Sequence, residues 1–254
     1  MSNIIMATPL SDTATITGTS ALGENPVSNL QKRELTSVFR TSIVCQIDID
    51  MGSATAIDFV SLIGHNGQGT VTVKAGTTSA VTNYTSGSLN LISGTDCSYD
   101  RNCFAAKITT QTYRYWRLEI NDTGNPDGYF QAGRVYLSKV FQPAVNASYG
   151  FKEGYLDRSR NQRTISGGVS SVSRTPLRTC EWSLDFLSES EMYGTMRDID
   201  LTRGVSKDVL IIPDIADTAY FQKRYVYGIL DELTPIVIAY HGIYQKSYKI
   251  TEII

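Results

Sequence analysis

The feature that most constrains this chain is a two-residue alternation of apolar and polar side chains. From Ser42 to Asp50, Ile43, Cys45, Ile47 and Ile49 take one parity, and Ser42, Gln46, Asp48 and Asp50 the other. From Arg178 to Phe186, Cys180, Trp182, Leu184 and Phe186 alternate with Thr179, Glu181, Ser183 and Asp185. A period of two places successive side chains on opposite faces of a sheet, so each segment predicts a half-buried strand. Asp48 and Asp50 then fall on a solvated face rather than forming a catalytic carboxylate pair. Trp116 and Trp182, inside such strands, are expected in the core.

Other strands follow from the same pattern. Thr13 to Gly18 predicts a leading strand, and Asn25-Pro26 a turn. Ala56 to Ile63 is a second apolar strand, Asn66-Gly67 is a tight-turn signal, and Thr70 to Lys74 alternates again. Together these predict a β-hairpin. Residues 76–102, rich in Ser, Thr, Gly and Asn, read as loops. Gln142-Pro143-Ala144-Val145-Asn146-Ala147 marks a domain boundary. The expected domains are 1–141, a β-sandwich, and 148–254, a β-rich assembly domain with one helix at about 188–203. In the second domain, Tyr149 to Asp157 and Arg163 to Ser173 are predicted strands on either side of the charged turn Asp157-Arg158-Ser159-Arg160. Ser188-Glu189-Ser190-Glu191 is a capping box, Met192, Met196 and Ile199 follow at helical spacing, and Gly204 fits the helix end. Strands are expected at 208–212, 224–232, 235–239 and 244–253.

Bulk properties exclude several function classes. The chain has 254 residues, 41% hydrophobic and 19% charged, with a formal net charge of −2. There is no basic excess and no Lys/Arg run, so nucleic-acid recognition is not expected. No run approaches the roughly 18 apolar residues of a membrane span. The N-terminus lacks the basic start and apolar core of a secretory signal. The four cysteines, Cys45, Cys97, Cys103 and Cys180, form no CxxC pair. They predict reduced thiols, with a Cys97–Cys103 disulfide or a metal site as the alternatives.

Catalytic constellations are not evident. The two histidines, His65 and His241, sit in polar turns and read as surface residues, and there is no Gly-x-Ser-x-Gly elbow and no P-loop. Glu181 and Asp185 fall on the solvent parity of their strand and make poor glycosidase carboxylates. The loop aromatics Tyr84, Tyr99, Tyr129 and Phe130 are the candidate ligand-binding residues. Asp122, Asn125 and Asp127 could offer oxygens to a structural calcium ion, although Asn-Pro and Asp-Gly are also ordinary turn dipeptides. No other cofactor is expected.

Four blocks carry a family resemblance: Val44-Cys45-Gln46-Ile47-Asp48-Ile49-Asp50-Met51-Gly52, the 57–66 run from Ile57 to Asn66, Tyr115-Trp116-Arg117-Leu118-Glu119-Ile120, and Gln131-Ala132-Gly133-Arg134-Val135-Tyr136-Leu137. They resemble the discoidin-like, galactose-binding-type jelly-roll sandwich. The resemblance implies loops that bind glycan, lipid or protein, and it lacks the terminal cysteine pair of extracellular members. The second half, with Trp182-Ser183-Leu184-Asp185-Phe186 and Val209-Leu210-Ile211-Ile212-Pro213-Asp214, is similar in layout to tail-tube and distal-tail proteins of long-tailed bacteriophages. In that family the ring domain comes first, the reverse of the order here. The resemblance implies a mainly β, non-enzymatic tail-tip or baseplate protein, made in the bacterial cytoplasm and located in the virion tail. Its implied partners are itself in a ring, the tail tube, hub and fibres, and cell-surface glycan. The alternative is a stand-alone carbohydrate-binding module without catalytic activity.

Overall fold

The protein is described here by a computed structural model covering residues 2–92, 102–165 and 167–254. The chain is mainly β and divides into two compact units. The first comprises 1–143, 209–225 and 254; the second comprises 144–208 and 226–253. The first break falls after Pro143. The 209–225 stretch differs: it belongs to the first unit, where Leu210, Ile211 and Ile212 pair with Ala7, Met6 and Ile5. All six are buried. A wholly apolar strand wants cover on both faces, and chain proximity alone could not reveal which unit supplies it.

The first unit is a β-sandwich. Its strands are β1 (Ile5–Ala7), β2 (Thr15–Gly18), β3 (Phe39–Thr41), β4 (Val44–Ile63), β5 (Thr70–Gly76), β6 (Tyr84–Asn90), β7 (Cys103–Asn121), β8 (Phe130–Ala132) and β9 (Arg134–Ser138). The main sheet runs β2-β4-β7-β5-β6, with β9 on β4, while β3 and β8 form a separate pair. Ile47, Ile49, Trp116, Leu118, Val71 and Val73 from the main sheet pack with Phe39 and Phe130 of the β3–β8 pair in one core. Trp116 is 1% exposed, as its parity predicts. Truncating such a ring to alanine removes about 3–5 kcal/mol.

Three expectations fail here. The Ser42–Asp50 and Ala56–Ile63 segments are one strand, carried past Gly52 by a bulge between Asp50 and Thr55. The predicted β4–β5 hairpin does not form: β4 pairs with β7 along its length, and β5 pairs with β6 and β7. Asn66 is spent differently. Its amide donates to Asp127 Oδ2 (2.9 Å) and the Tyr129 carbonyl (3.0 Å), and its Oδ1 accepts from the Gln131 amide (2.8 Å). Gly67 is needed for space, since a Cβ there would lie 2.6 Å from Leu91 Cδ1. Part of the predicted 76–102 loop is the strand β6.

In the second unit, Val226–Leu230, Ile243–Glu252, Leu177–Leu187 and Lys152–Leu156 lie side by side in that order, and Val237–Tyr240 also pairs with Ile243–Glu252. Cys180, Trp182 and Leu184 are buried, as the alternation predicts, but Phe186 is 60% exposed. The register shifts between Leu184 and Leu187, and this bulge turns Phe186 outward and buries Leu187 in its place. Arg160–Arg163 and Val169–Val172 form a two-stranded hairpin of their own. The predicted single strand 163–173 is therefore broken at its centre, where Gly167 takes a φ of +84°.

Ser188 caps the helix as expected: its hydroxyl accepts from the Glu191 amide, and the Glu191 carboxylate accepts from the Ser188 amide. The helical run is Glu189–Glu191, a π-helical Met192–Met196 and Arg197–Arg203, ending at Gly204 with φ +55°. Met192, Met196 and Ile199 are all buried. No helix among the described residues is long and apolar enough to cross a membrane.

Candidate functional site

Strand register builds a pocket on the outer face of the first unit. Thr15 lies opposite Asp50, Asp50 opposite Tyr115, and Tyr115 opposite Gly76. One row along, Thr17, Asp48, Arg117 and Lys74 follow in the same order. Because parity is shared across a sheet, these two rows of hydroxyls, carboxylates, phenol and guanidinium share one face. The intervening Ile16, Ile49, Trp116 and Ala75 turn the other way.

The wall comes from the turn after β5. Gly76 lets it fold close: a Cβ at that position would lie 2.8 Å from Val81 Cα. The Asn83 Oδ1 accepts from the Thr77 amide (3.1 Å), and the Asn83 amide donates to the Ala75 carbonyl (3.1 Å). Val81 is buried and carries a φ of +48°, the one non-glycine positive φ among the described residues. A β-branched residue in that region is strained by about 1–3 kcal/mol, and such strain concentrates at binding sites. The resulting cavity holds about 280 Å³, lined by Thr15, Thr17, Asp48, Asp50, Tyr115 and Arg117, with Ser79 and Val81 on its wall. That is the lower end of small-ligand pockets.

Its charges are internally balanced. Arg114 grips Asp50 through Nε (2.7 Å) and Nη2 (2.8 Å), and the Gly52 amide adds a third donor. The Arg114 hydrogen bond, then the Gly52 amide, holds the Asp50 carboxyl down at about 2. Arg117 Nε donates to Asp48 Oδ1 (2.5 Å). A neutral, hydroxyl-rich guest therefore meets both acceptors and donors without a net charge. Nothing in this pocket pairs a nucleophile with a base.

The sequence candidates fall elsewhere. Phe130 is fully buried in the core, because β8 rather than a loop carries it. Tyr129 is partly buried, and the Arg40 guanidinium lies 4.2 Å from its ring centroid. Tyr84 starts β6, where partial burial raises its pKa. Tyr99 lies outside the described residues, as does Cys97. Asp122, Asn125 and Asp127 do come together, but their oxygens take N–H donors. Asp122 Oδ1 accepts from the Gln68 (3.0 Å) and Gly69 (2.8 Å) amides, and Oδ2 from the Asn125 amide group (2.7 Å). Asn125 Oδ1 accepts from the Asp127 amide (2.9 Å). The arrangement is a hydrogen-bonded turn, and a cation would have to displace these donors. No group of three or more His, Cys, Asp or Glu among the described residues is placed to hold a metal.

His65 is not the surface residue its polar turn suggested. It is fully buried, and burial lowers its pKa to about 4. His241 is exposed in a turn of the second unit. The pocket residues were visible in the sequence as Thr-x-Thr, Asp-x-Asp and Tyr-x-Arg pairs. What brings them together is the register of β2, β4 and β7, which no local pattern encodes.

No protein-family model matches the chain, and no curated protein sequence does. Several solved structures are similar to about half of it. Chitosan-binding module 1 from a chitosanase/glucanase of Paenibacillus sp. IK-5 is 14% identical, with 52% of this chain and 99% of that chain covered and a TM-score of 0.40. A Streptococcus pneumoniae fucose binding module is 10% identical, covering 52% of this chain and 95% of its own, at a TM-score of 0.41. The family 32 module of C. perfringens NanJ, in complex with galactose, is 14% identical over 53% of this chain and 99% of that chain, at 0.39. All three are carbohydrate-binding modules.

Proposed function

We propose that this chain is a non-catalytic structural protein of a multi-copy assembly, of the kind found at the tail tip or baseplate of long-tailed bacteriophages. One observation carries the reading. Nineteen large apolar side chains stand exposed among the described residues; Leu10, Leu22, Val44 and Tyr220 belong to the first unit, and the other fifteen to the smaller second unit. They include Tyr155 and Leu156 on the edge strand Lys152–Leu156, and Val237, Ile238 and Tyr240 on Val237–Tyr240. Edge strands that bear such exposed apolar side chains invite pairing with another chain. In the assembly the second unit joins copies, closing into a ring if the rotation between neighbours permits. The location is then the virion tail, with tube, hub and fibre proteins as neighbours.

Sedimentation velocity on the purified chain tests this. A discrete species of several copies is expected; a monomer at every concentration, together with absence from virions, overturns it.

The second reading is that the first unit binds carbohydrate, favoured by the charge-balanced, hydroxyl-lined pocket. A glycan array should then give hits that Tyr115→Ala and Arg117→Ala abolish, while Tyr129→Ala leaves them intact. An array without hits refutes it.

A further inference from the structure

The hairpin of the second unit has a composition that its own fold does not explain. Residues 158–174 contain four arginines, Arg158, Arg160, Arg163 and Arg174, and no acidic residue. Every described residue from 160 to 176 is exposed. The two strands pair only with each other, Arg160 opposite Val172 and Arg163 opposite Val169. Beyond the paired residues, the Arg174 amide donates to the Ser159 hydroxyl (3.0 Å), which holds the Arg158 and Arg174 ends of the arm together. Arg158, Arg160 and Arg174 therefore gather at one end of the arm. Like charges gathered at one end repel one another, and an isolated two-stranded hairpin is marginal in water. None of these four arginines is in an ion pair among the described residues. This arm is shaped for something that is not in its own unit.

The complement lies in the body of the same unit. Outside the arm, the second unit has seven Lys/Arg against twelve Asp/Glu. The Leu184–Leu187 bulge places Asp185 and the exposed Phe186 at the end of their strand, and Glu189 and the exposed Tyr193 follow on the first helical turns. Tyr193 packs edge-on against Tyr244 at 5.3 Å between ring centroids. Neither Asp185 nor Glu189 has an ion-pair partner among the described residues. Residues 185–193 thus bring acidic and exposed aromatic side chains into one short segment, the two side-chain types that arginine recognises through planar hydrogen bonding and stacking.

We infer that the arginine arm of one copy docks on the Asp185–Tyr193 cluster of a second copy. This rests on the assembly reading above and names the surfaces that would carry it. Arm and cluster are different patches of one unit, so the contact either runs head-to-tail into a ring or filament or is exchanged reciprocally in a two-fold pair, and the sedimenting mass separates the two. The isolated arm gains order on docking, and Val172, on the same face as Arg160, gains cover.

The test uses the full chain with two charge-reversed variants. One carries Arg158→Glu, Arg160→Glu and Arg174→Glu; the other carries Asp185→Arg and Glu189→Arg. Circular dichroism and thermal melting first confirm that each is folded, which is expected because every altered side chain lies outside the hydrophobic core. Wild-type assembly should weaken roughly tenfold or more between about 50 mM and 500 mM salt, as screening of several charge pairs requires. Each variant alone should sediment as a monomer, and mixing the two should restore a complex, because reversed arms meet reversed clusters. If both variants assemble like wild type, or the mixture never associates, this docking is wrong while the assembly reading stands. A wild-type chain that is monomeric at every salt and concentration overturns both.

Discussion

Gly76→Ala isolates the close approach that forms the pocket wall. Gly76 has no positive φ, so the backbone tolerates alanine; space is what fails. The new methyl would lie 2.8 Å from Val81 Cα, 3.0 Å from Asn83 Oδ1 and 3.2 Å from the Thr82 nitrogen. Two of those three atoms are backbone, so no rotamer change relieves the clash, and the turn must shift. Overpacking of this kind costs about 1–3 kcal/mol. For a unit of this size each kcal/mol lowers Tm by about 2–4 °C, so a drop of roughly 2–12 °C is expected. Gly87→Ala is the natural comparison. Its φ of +73° strains any side chain, yet nothing lies within 4 Å. It should lose only about 1–2 kcal/mol, by conformation alone, and should leave the pocket intact. Trp116 reports on the first unit and Trp182 on the second, so fluorescence melts in a Trp182→Phe background follow the first unit by itself. A Gly76→Ala protein as stable as wild type, or one that still binds whatever glycan the wild type binds, would refute the argument that this turn is held by close packing on Gly76.

Other outcomes follow from buried groups. The folded protein keeps His65 neutral down to about pH 4, whereas the unfolded chain protonates it near 6.5. Its contribution is thus full above pH 6.5 and shrinks as pH falls towards 4, by roughly 3 kcal/mol in all; urea titrations of His65→Gln should show a flatter stability curve across that window. Glu252 accepts from the Arg178 amide and guanidinium at 2.8 and 2.7 Å, both side chains being buried, so Glu252→Ala should cost about 3–5 kcal/mol by leaving the guanidinium buried without its carboxylate. Burial pushes the Cys45 thiol up to about 12 and raises Cys180 as well, and neither should be alkylated by iodoacetamide at pH 8 until the chain is denatured, as peptide mass mapping would show. Ser188→Ala removes the helix cap and should lower stability by about 1 kcal/mol in the second unit, read by Trp182 fluorescence.

The parts of this fold legible in the sequence are those set by a side chain's near neighbours. Parity put Trp116, Trp182 and Cys180 inside and Glu181 outside, because the alternation of a strand is a local fact. The Ser188 cap was readable for the same reason. Pairing was not readable. Asn66-Gly67 fits a two-residue turn, but the long-range partners Asp127, Tyr129 and Gln131 claim the Asn66 side chain. Phe186 had the right parity for burial until a bulge, fixed by pairing with Ile243–Glu252, moved it by one position. Burial of His65 likewise depends on the distant Leu91 and Asn102 segments, with the Asn102 carbonyl accepting from the Gly64 amide (2.8 Å). The pocket needed three registers at once, so candidates chosen as loop aromatics do not include the strand residues that line it.

Those failures are not scattered. A sequence that specifies its fold agrees with itself at every level, and disagreement marks places held for another purpose. Val81 sits in a backbone region that valine avoids, and it forms the wall of the cavity. Phe186 is thrown outward beside unpaired carboxylates, although burying it would stabilise a monomer. Four arginines share a hairpin that contains no acid and buries nothing. Each departure lowers the stability of an isolated chain, and each lies at a surface assigned here to a ligand or to a second copy. Charge alone would not select a second copy over some other acidic partner. The exposed apolar side chains favour a second copy in this proposal, since Val169 and Val172 lie in the arm and Phe186 and Tyr193 in the cluster, and a purely electrostatic contact would leave them wet. An arm held only by charge should also dissociate completely in high salt. Residual association of wild type above about 1 M salt, where charges are screened within roughly 3 Å, would be the apolar share of the same interface. That residue should vanish in Phe186→Ser, and its persistence there would place the apolar contact elsewhere on the second unit.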